Sequence, residues 1–370
     1  MTVDMPTDRY RAVVFSAPDR PLEVRHYPPP ALQSGELLVK IRCCTLCGSD
    51  LHSFFGRRST PCPCILGHEI TGTALALPAN EEVLDYAGNK LQVGDRICWS
   101  VMAHCGSCPR CLGGLPQKCV SLFKYGHQRL DEAAPFAGGL ADVCHLRRGT
   151  TVCRVPERLP DGVAALATCA GATVAAALRL AGSIRDRAVL IQGAGALGLL
   201  ACAMANQAGA RSVLVADTAA DRLSLAERFG ATTTILAGKT RLDEVVRNVT
   251  DRGRIDVALE MSGAPEALET GLPMLGLGAV YVLVGGALPS RLAGVPMEHV
   301  VKNLITIRGV HNYWPEDLDA AIRFLDKSFD VYPFGDLVGE HFELEEAAEA
   351  FRSAATGRFC RVAVVPRQFD

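Results

Sequence analysis

The sequence predicts an α/β protein of two domains, one irregular and mostly β, the other a doubly wound parallel sheet. Three observations carry that expectation. From Arg11 to about Leu159 the apolar runs are short and bounded by Gly, Pro and Asp. From about Ala170 to Thr306, β-branched runs alternate with Ala/Leu-rich stretches of helical length, the signature of parallel strands joined by crossover helices. At 370 residues the chain is also long for a single core.

In the first region the runs at 12–15, 36–43, 71–77, 96–101 and 152–155 read as strands. In the second, strands are expected at 188–192, 212–217, 232–236, 255–260 and 279–284. The helices between them are expected at 196–208, 219–229, 241–250 and 265–275. The tail carries helical patterns at 315–325 and 345–355 and a strand at 361–365, which are expected to return to the first domain.

Bulk properties narrow the function classes. With 38 basic and 40 acidic side chains the net charge is −2, so nothing favours a nucleic-acid partner. Residues 1–25 hold no unbroken apolar stretch, and the apolar segment 186–205 is punctuated by glycine, so neither an export signal nor a membrane span is expected. Fifteen cysteines without an export signal point to a reducing, cytoplasmic compartment in which thiolates serve as metal ligands. Nine of them (Cys43, Cys44, Cys62, Cys64, Cys98, Cys144, Cys153, Cys202 and Cys360) read as small core residues.

The run from Ala188 to Leu199 is a strand that enters Gly193, Gly195 and Gly198 and then opens a helix. Gly193 suits the tight turn, Gly195 the approach of a pyrophosphate and Gly198 the close packing of helix on strand. The next strand ends at Asp217, where a carboxylate accepts from a ribose hydroxyl and repels a 2′-phosphate, which favours NAD over NADP. Glycines alone would fit any α/β turn. Strand, spacing, helix and acid together indicate a dinucleotide site.

Cys105, Cys108, Cys111 and Cys119 place four thiols in one loop, the donor set of a closed, structural zinc site. A catalytic site must keep a position open, so its ligands should be three and scattered. The segments Cys47-Gly-Ser-Asp-Leu-His52 and Gly67-His68-Glu69 are candidates to supply them.

These segments, the four-cysteine lobe, Gly138-Gly-Leu-Ala-Asp142 and the glycine loop together resemble the zinc-containing medium-chain dehydrogenase/reductases, the alcohol, sorbitol and threonine dehydrogenase group, over nearly the whole chain. The resemblance implies a GroES-like β domain (1–169 and 307–370, with a zinc lobe at 104–120) and a Rossmann domain (170–306), with an active cleft between them. It implies one structural and one catalytic zinc, NAD, a small alcohol or carbonyl substrate, and a homo-oligomer, dimer or tetramer. Carried over by position, Cys47, His68 and Cys169 are the catalytic-zinc ligands and Glu69 lies close by, able to join the metal. Asp50 orients the His68 ring, unless it is a plain N-cap. Ser49 takes the alcohol proton and passes it, by way of the cofactor ribose, to His52. Arg361 matches a basic group that holds the pyrophosphate in several relatives, and otherwise is an ordinary solvated arginine.

The segment after Cys47 also suggests a substrate. Phe54 and Phe55 offer an apolar wall, and Arg57 and Arg58 offer an anion site. This stretch and Gly309–Trp314 resemble a subgroup associated with phosphonate metabolism, which implies hydroxyalkyl phosphonates; polyol or amino-alcohol oxidation is the alternative. A zinc-free quinone reductase would lack Cys47, His68 and the lobe. A silent binding protein on the same scaffold would not retain Ser49, Asp50, His52 and Glu69 around the ligands.

Overall fold

The computed structural model describes residues 8–79, 81–251, 253–286 and 290–367. Residues 1–7, part of the N-terminal stretch read above as free of apolar runs, lie outside them. The chain divides into two units, one running to Cys169 and resuming at Trp314–Phe329 and from Phe334 onward, the other Ala170–Tyr313 with Asp330–Pro333.

The first unit is built on a curled, mostly antiparallel sheet. Its strand order is Val338–Phe342, Arg361–Val364, Leu37–Thr45, Glu69–Ala76, Arg96–Ala103, Phe123–Lys124. Val143–Leu146 adds to Leu37–Thr45, and Thr150–Arg154 to Arg96–Ala103. Alternate residues of these strands enter a core that includes Leu38, Ile41, Ile70, Trp99, Leu140 and Phe351. The short helix Gly48–Phe54 is anchored there by Phe54, whose ring stacks on Phe351 at 4.2 Å and 6°. Phe54 is half-buried and packs against the core on this side, whereas Phe55 is exposed.

The second unit is a parallel six-stranded sheet in the order Thr233–Leu236, Ser212–Asp217, Ala188–Gln192, Ile255–Glu260, Leu275–Leu283, Thr306–Gly309. Sequence order reverses beside Ala188–Gln192, which puts the first glycine loop at the switch point where such sheets bind ligands. Thr306–Gly309 pairs in parallel with Leu275–Leu283 (Val280 opposite Thr306), so the boundary expected after Thr306 cuts a strand and the unit continues to Tyr313. That strand was missed because its four residues are all exposed and show no apolar alternation. It is the sheet edge, and Leu277, Met297, Val301 and Leu304 are exposed on the elements around it.

A continuous helical stretch, Asp161–Ala181, was also not foreseen. It is Ala-rich and is interrupted by a π-helical turn at Ala167–Gly171. Among the described residues it is the one helix long and apolar enough to cross a membrane, and 67 % of its most apolar window is buried within the protein.

In the glycine loop Gly193 sits at φ +103°, and a Cβ on Gly198 would lie 1.7 Å from the Gly193 carbonyl oxygen. Helix Ala196–Gln207 therefore packs as it does only with glycine at 198. Gly198→Ala is expected to cost about 3 kcal/mol of stability and to abolish NAD binding, read by thermal denaturation and cofactor titration. A fully stable, cofactor-binding variant would contradict this packing.

Candidate active site and metal centres

Three separate segments converge on one point of the first unit. Strand Leu37–Thr45 leaves the sheet at Leu46, whose N–H donates to Val362 O, and the chain turns at Cys47, the N-cap of helix Gly48–Phe54. Thr45 lies opposite Glu69 in the antiparallel register, which brings Gly67 and His68 alongside Cys47. Gly67 has φ +91°, and a Cβ there would come within 2.6 Å of Cys44 Sγ, so the approach requires glycine. The third segment is the π-turn. Asp161, just ahead of it, accepts from Arg42 Nε (2.9 Å) and Arg96 Nε (2.7 Å), while Thr168 Oγ1 accepts from Ile70 N–H (3.2 Å). These ties fix Cys169 beside the other two. The Sγ atoms of Cys47 and Cys169 and a ring nitrogen of His68 all lie within 4.8 Å of one another.

Asp50 organises this cluster. Fully buried, it accepts from Cys47 N–H (3.0 Å) and Gly67 N–H (3.1 Å) and bonds His68 Nδ1 at 3.0 Å. It is thus the orienting partner of the imidazole; the N-cap of the helix is Cys47, and Asp50, at the third helical position, accepts from the Cys47 N–H. With Nδ1 engaged, Nε2 is the nitrogen left to a metal. Ser49 Oγ lies 3.3 Å from that Nε2. Two thiols and one imidazole are three soft-to-borderline donors, the number a catalytic zinc takes from protein when its fourth position is kept for water or substrate.

The electrostatics of the three donors differ, and only that of Cys47 favours the deprotonated form that a metal binds. The Cys169 thiol hydrogen-bonds Cys47 and, despite burial, with Arg361 and His68 adding to it, holds Cys47 well below the ordinary thiol range. The same hydrogen bond, together with burial, raises Cys169. Burial disfavours charge on His68, but Asp50 and Cys47 outweigh it and raise its pKa.

Arg361 is not an ordinary solvated arginine. It is 8 % exposed, donating through Nε to Glu69 Oε2 (2.6 Å) and through Nη2 to Glu69 Oε1 (2.8 Å), with Nη2 also 3.6 Å from Cys47 Sγ. The antiparallel pairing of Arg361–Val364 with Leu37–Thr45 carries it there. Glu69 also accepts from Thr45 Oγ1 at 2.7 Å and is not among the ligand atoms that converge. Thr45, Thr168 and Arg361 as partners of the ligand set were invisible in the sequence, because only strand register and the π-turn bring them in.

His52, on the same helix as Ser49, is half-buried, and its Nδ1 has no hydrogen-bond partner among the described residues. Burial, then the positive charges of Arg57 and Arg58, lower its pKa. Arg57 is exposed, with its guanidinium 5.8 Å from the Phe55 ring, whereas Arg58 is half-buried.

In the lobe the four sulfurs stand 3.4 Å (Cys105 to Cys119), 3.5 Å (Cys108 to Cys111), 3.9 Å (Cys108 to Cys119) and 4.0 Å (Cys105 to Cys111) apart. A tetrahedral ion with zinc–sulfur bonds of about 2.3 Å needs edges of about 3.8 Å, so the lobe fits zinc. Backbone N–H groups of Ser107 and Cys108 lower Cys105 to about 6. The other nine cysteines form no disulfide, and seven of them are buried.

In the second unit, Gly195 caps helix Ala196–Gln207 and open space surrounds the position of a Cβ on it. Asp217 accepts from Ala194 N–H (2.6 Å) and Ala219 N–H (2.9 Å), and with Gly193 it lines a cleft of about 690 Å³ that also includes Thr218, Ile235 and Lys239.

Comparison with known proteins agrees with both units. Residues 33–157 match the alcohol dehydrogenase GroES-like domain and residues 196–327 the zinc-binding dehydrogenase family. The L-threonine 3-dehydrogenase of Aeromonas salmonicida is 27 % identical over 342 residues, 90 % of this chain and 93 % of that protein. That of Vibrio cholerae is 26 % identical over 360 residues, 95 % of this chain and 98 % of the relative. The crystal structure of an alcohol dehydrogenase from Thermotoga maritima superposes with a TM-score of 0.91 at 29 % identity, covering 97 % of this chain and 100 % of that one. The chain belongs to the zinc-containing medium-chain dehydrogenase/reductases, the NAD-linked alcohol and threonine dehydrogenase family.

Proposed function

We propose that Cys47, His68 and Cys169 hold the catalytic zinc of an NAD-linked alcohol dehydrogenase, that Cys105, Cys108, Cys111 and Cys119 hold a structural one, and that Ser49 and His52 move the proton. The observation that carries this reading is the three-donor cluster held within 4.8 Å with Asp50 on His68 Nδ1. Zinc at such a site acidifies a hydroxyl in the way it lowers the pKa of water to about 7, so that hydride can leave to the nicotinamide.

The protein groups do the rest. Ser49, 3.3 Å from His68 Nε2, is placed to accept the proton of a hydroxyl brought to that nitrogen's side of the cluster. His52 is the terminal base. Its lowered pKa keeps the imidazole neutral, and so able to accept, at pH 7 and somewhat below its ordinary 6.5. The Glu69–Arg361 pair keeps a neutral, water-poor wall against Cys47. Gly193, Gly195, Gly198 and Asp217 hold the cofactor, with the Asp217 carboxylate turned against a 2′-phosphate.

The open edge strand Thr306–Gly309 and the exposed Leu277, Met297, Val301 and Leu304 favour a homo-oligomer in which a second copy covers that edge. Fifteen cysteines without a disulfide among them suit a cytoplasmic location, and the reading involves no nucleic acid or membrane.

Ser49→Ala is expected to lower kcat for alcohol oxidation by about 10²–10⁴-fold with two zincs per chain retained. His52→Gln should remove an acid limb of the kcat–pH profile that in the unaltered protein lies below pH 6.5. Steady-state kinetics with metal analysis checks both. Unchanged turnover in Ser49→Ala would end the relay.

A further inference from the structure

The family reading leaves one cluster beside the ligands unused. Lys124, Tyr125, Gly126 and His127 form a tight turn closed by His127 N–H to Lys124 O at 3.1 Å. The turn is pressed against the metal-ligand segment. A Cβ on Gly126, at φ +75°, would stand 2.7 Å from Gly67 O and 3.1 Å from His68 Cβ, and the His127 and His68 rings lie 5.1 Å apart. Strand pairing of Lys124 with Met102 fixes the near end of the turn. Lys124 is half-buried, and its ammonium lies within electrostatic reach of both ligand thiols, Cys47 and Cys169. Arg58, from the loop after helix Gly48–Phe54, acts on both Lys124 and His127.

Neither cation is answered. Among the described residues neither Lys124 nor the Arg58 side chain makes a hydrogen bond or ion pair, whereas Arg361, 3.6 Å from Cys47 Sγ, is matched by Glu69. Two thiolates balance a Zn²⁺ ion and Arg361 balances Glu69, which leaves Asp50 alone against the two charges of Lys124 and Arg58. Burial, then the charge of Arg58, holds Lys124 below the ordinary amine range, the expected state of a cation lacking its counter-ion.

Building on the alcohol dehydrogenase reading, we propose that Lys124 and Arg58 form an anion subsite beside the catalytic zinc, and that the substrate is a small alcohol carrying an anionic group and no ammonium. A carboxylate, phosphonate or phosphate would neutralise the pair through charge-assisted hydrogen bonds. The ammonium of an amino alcohol would meet the same repulsion that Lys124 meets from Arg58.

The test compares NAD reduction with 3-hydroxypropionate and 2-hydroxyethylphosphonate as anions, 1-propanol and 1,3-propanediol as neutral alcohols, and L-threonine as a zwitterion. The unaltered protein should prefer an anion, with the carboxylate and phosphonate arms separating the two headgroups. In Lys124→Met the anionic-to-neutral ratio of kcat/KM should fall on the order of 10–100-fold, and Lys124→Arg should restore most of it. Arg58→Ala, in the loop after helix Gly48–Phe54, gives a second variant should Lys124→Met fold poorly. Competitive inhibition of 1-propanol oxidation by inorganic phosphate, weakened in either variant, is an independent readout. A protein that oxidises neutral alcohols or L-threonine as well as the anions overturns the subsite and leaves the dehydrogenase standing. A protein with two zincs that oxidises none of them overturns the reading beneath it.

Discussion

The buried carboxylate of Asp50 is the contact on which the catalytic centre depends. One oxygen takes the Cys47 N–H, the other takes the Gly67 N–H and His68 Nδ1. In those bonds it ties the first turn of a helix back to its N-cap, closes the turn before a strand and selects the tautomer of a ligand. Two metal ligands from segments about twenty positions apart are thereby held in one geometry before any metal arrives. The third, Cys169, is brought by a π-turn, a local widening of a helix that recurs at functional sites because it displaces one residue from the regular face.

Around that centre the charges are arranged in pairs. Glu69 and Arg361 are both buried, and removing either would strand a charge at a cost of about 3–5 kcal/mol. Such a pair adds little to stability compared with well-packed apolar residues, so its presence points to the thiolate it faces. Arg361 Nη2 stabilises the Cys47 thiolate without supplying a proton, since a guanidinium does not deprotonate. Lys124 and Arg58 are the exception to this pairing, which is why they read as a site for a ligand's charge.

What the sequence revealed follows from which interactions are local. The lobe cysteines, the glycine loop with Asp217 and the strand–helix alternation are spaced by a single turn or a single crossover, and their spacing already encodes their geometry. Asp50 was legible because it lies three residues from Cys47. Arg361 was not: its partner Glu69 is 292 residues away, and only the pairing of the last strand with Leu37–Thr45 joins them. The stacking of Phe54 was hidden for the same reason, since its partner is Phe351. Lys124 carried no motif and gained meaning only when Gly126 was found against Gly67.

Zinc K-edge X-ray absorption with metal quantitation on the intact protein tests the central claim directly. The account predicts two zincs per chain sharing six sulfur ligands, from the four-cysteine and the two-cysteine sets, at about 2.3 Å, with imidazole and a light-atom ligand at about 2.0–2.1 Å on one of them. His68→Ala should leave a single zinc in an all-sulfur shell. One zinc in the unaltered protein, or a His68→Ala variant that keeps both, would contradict it.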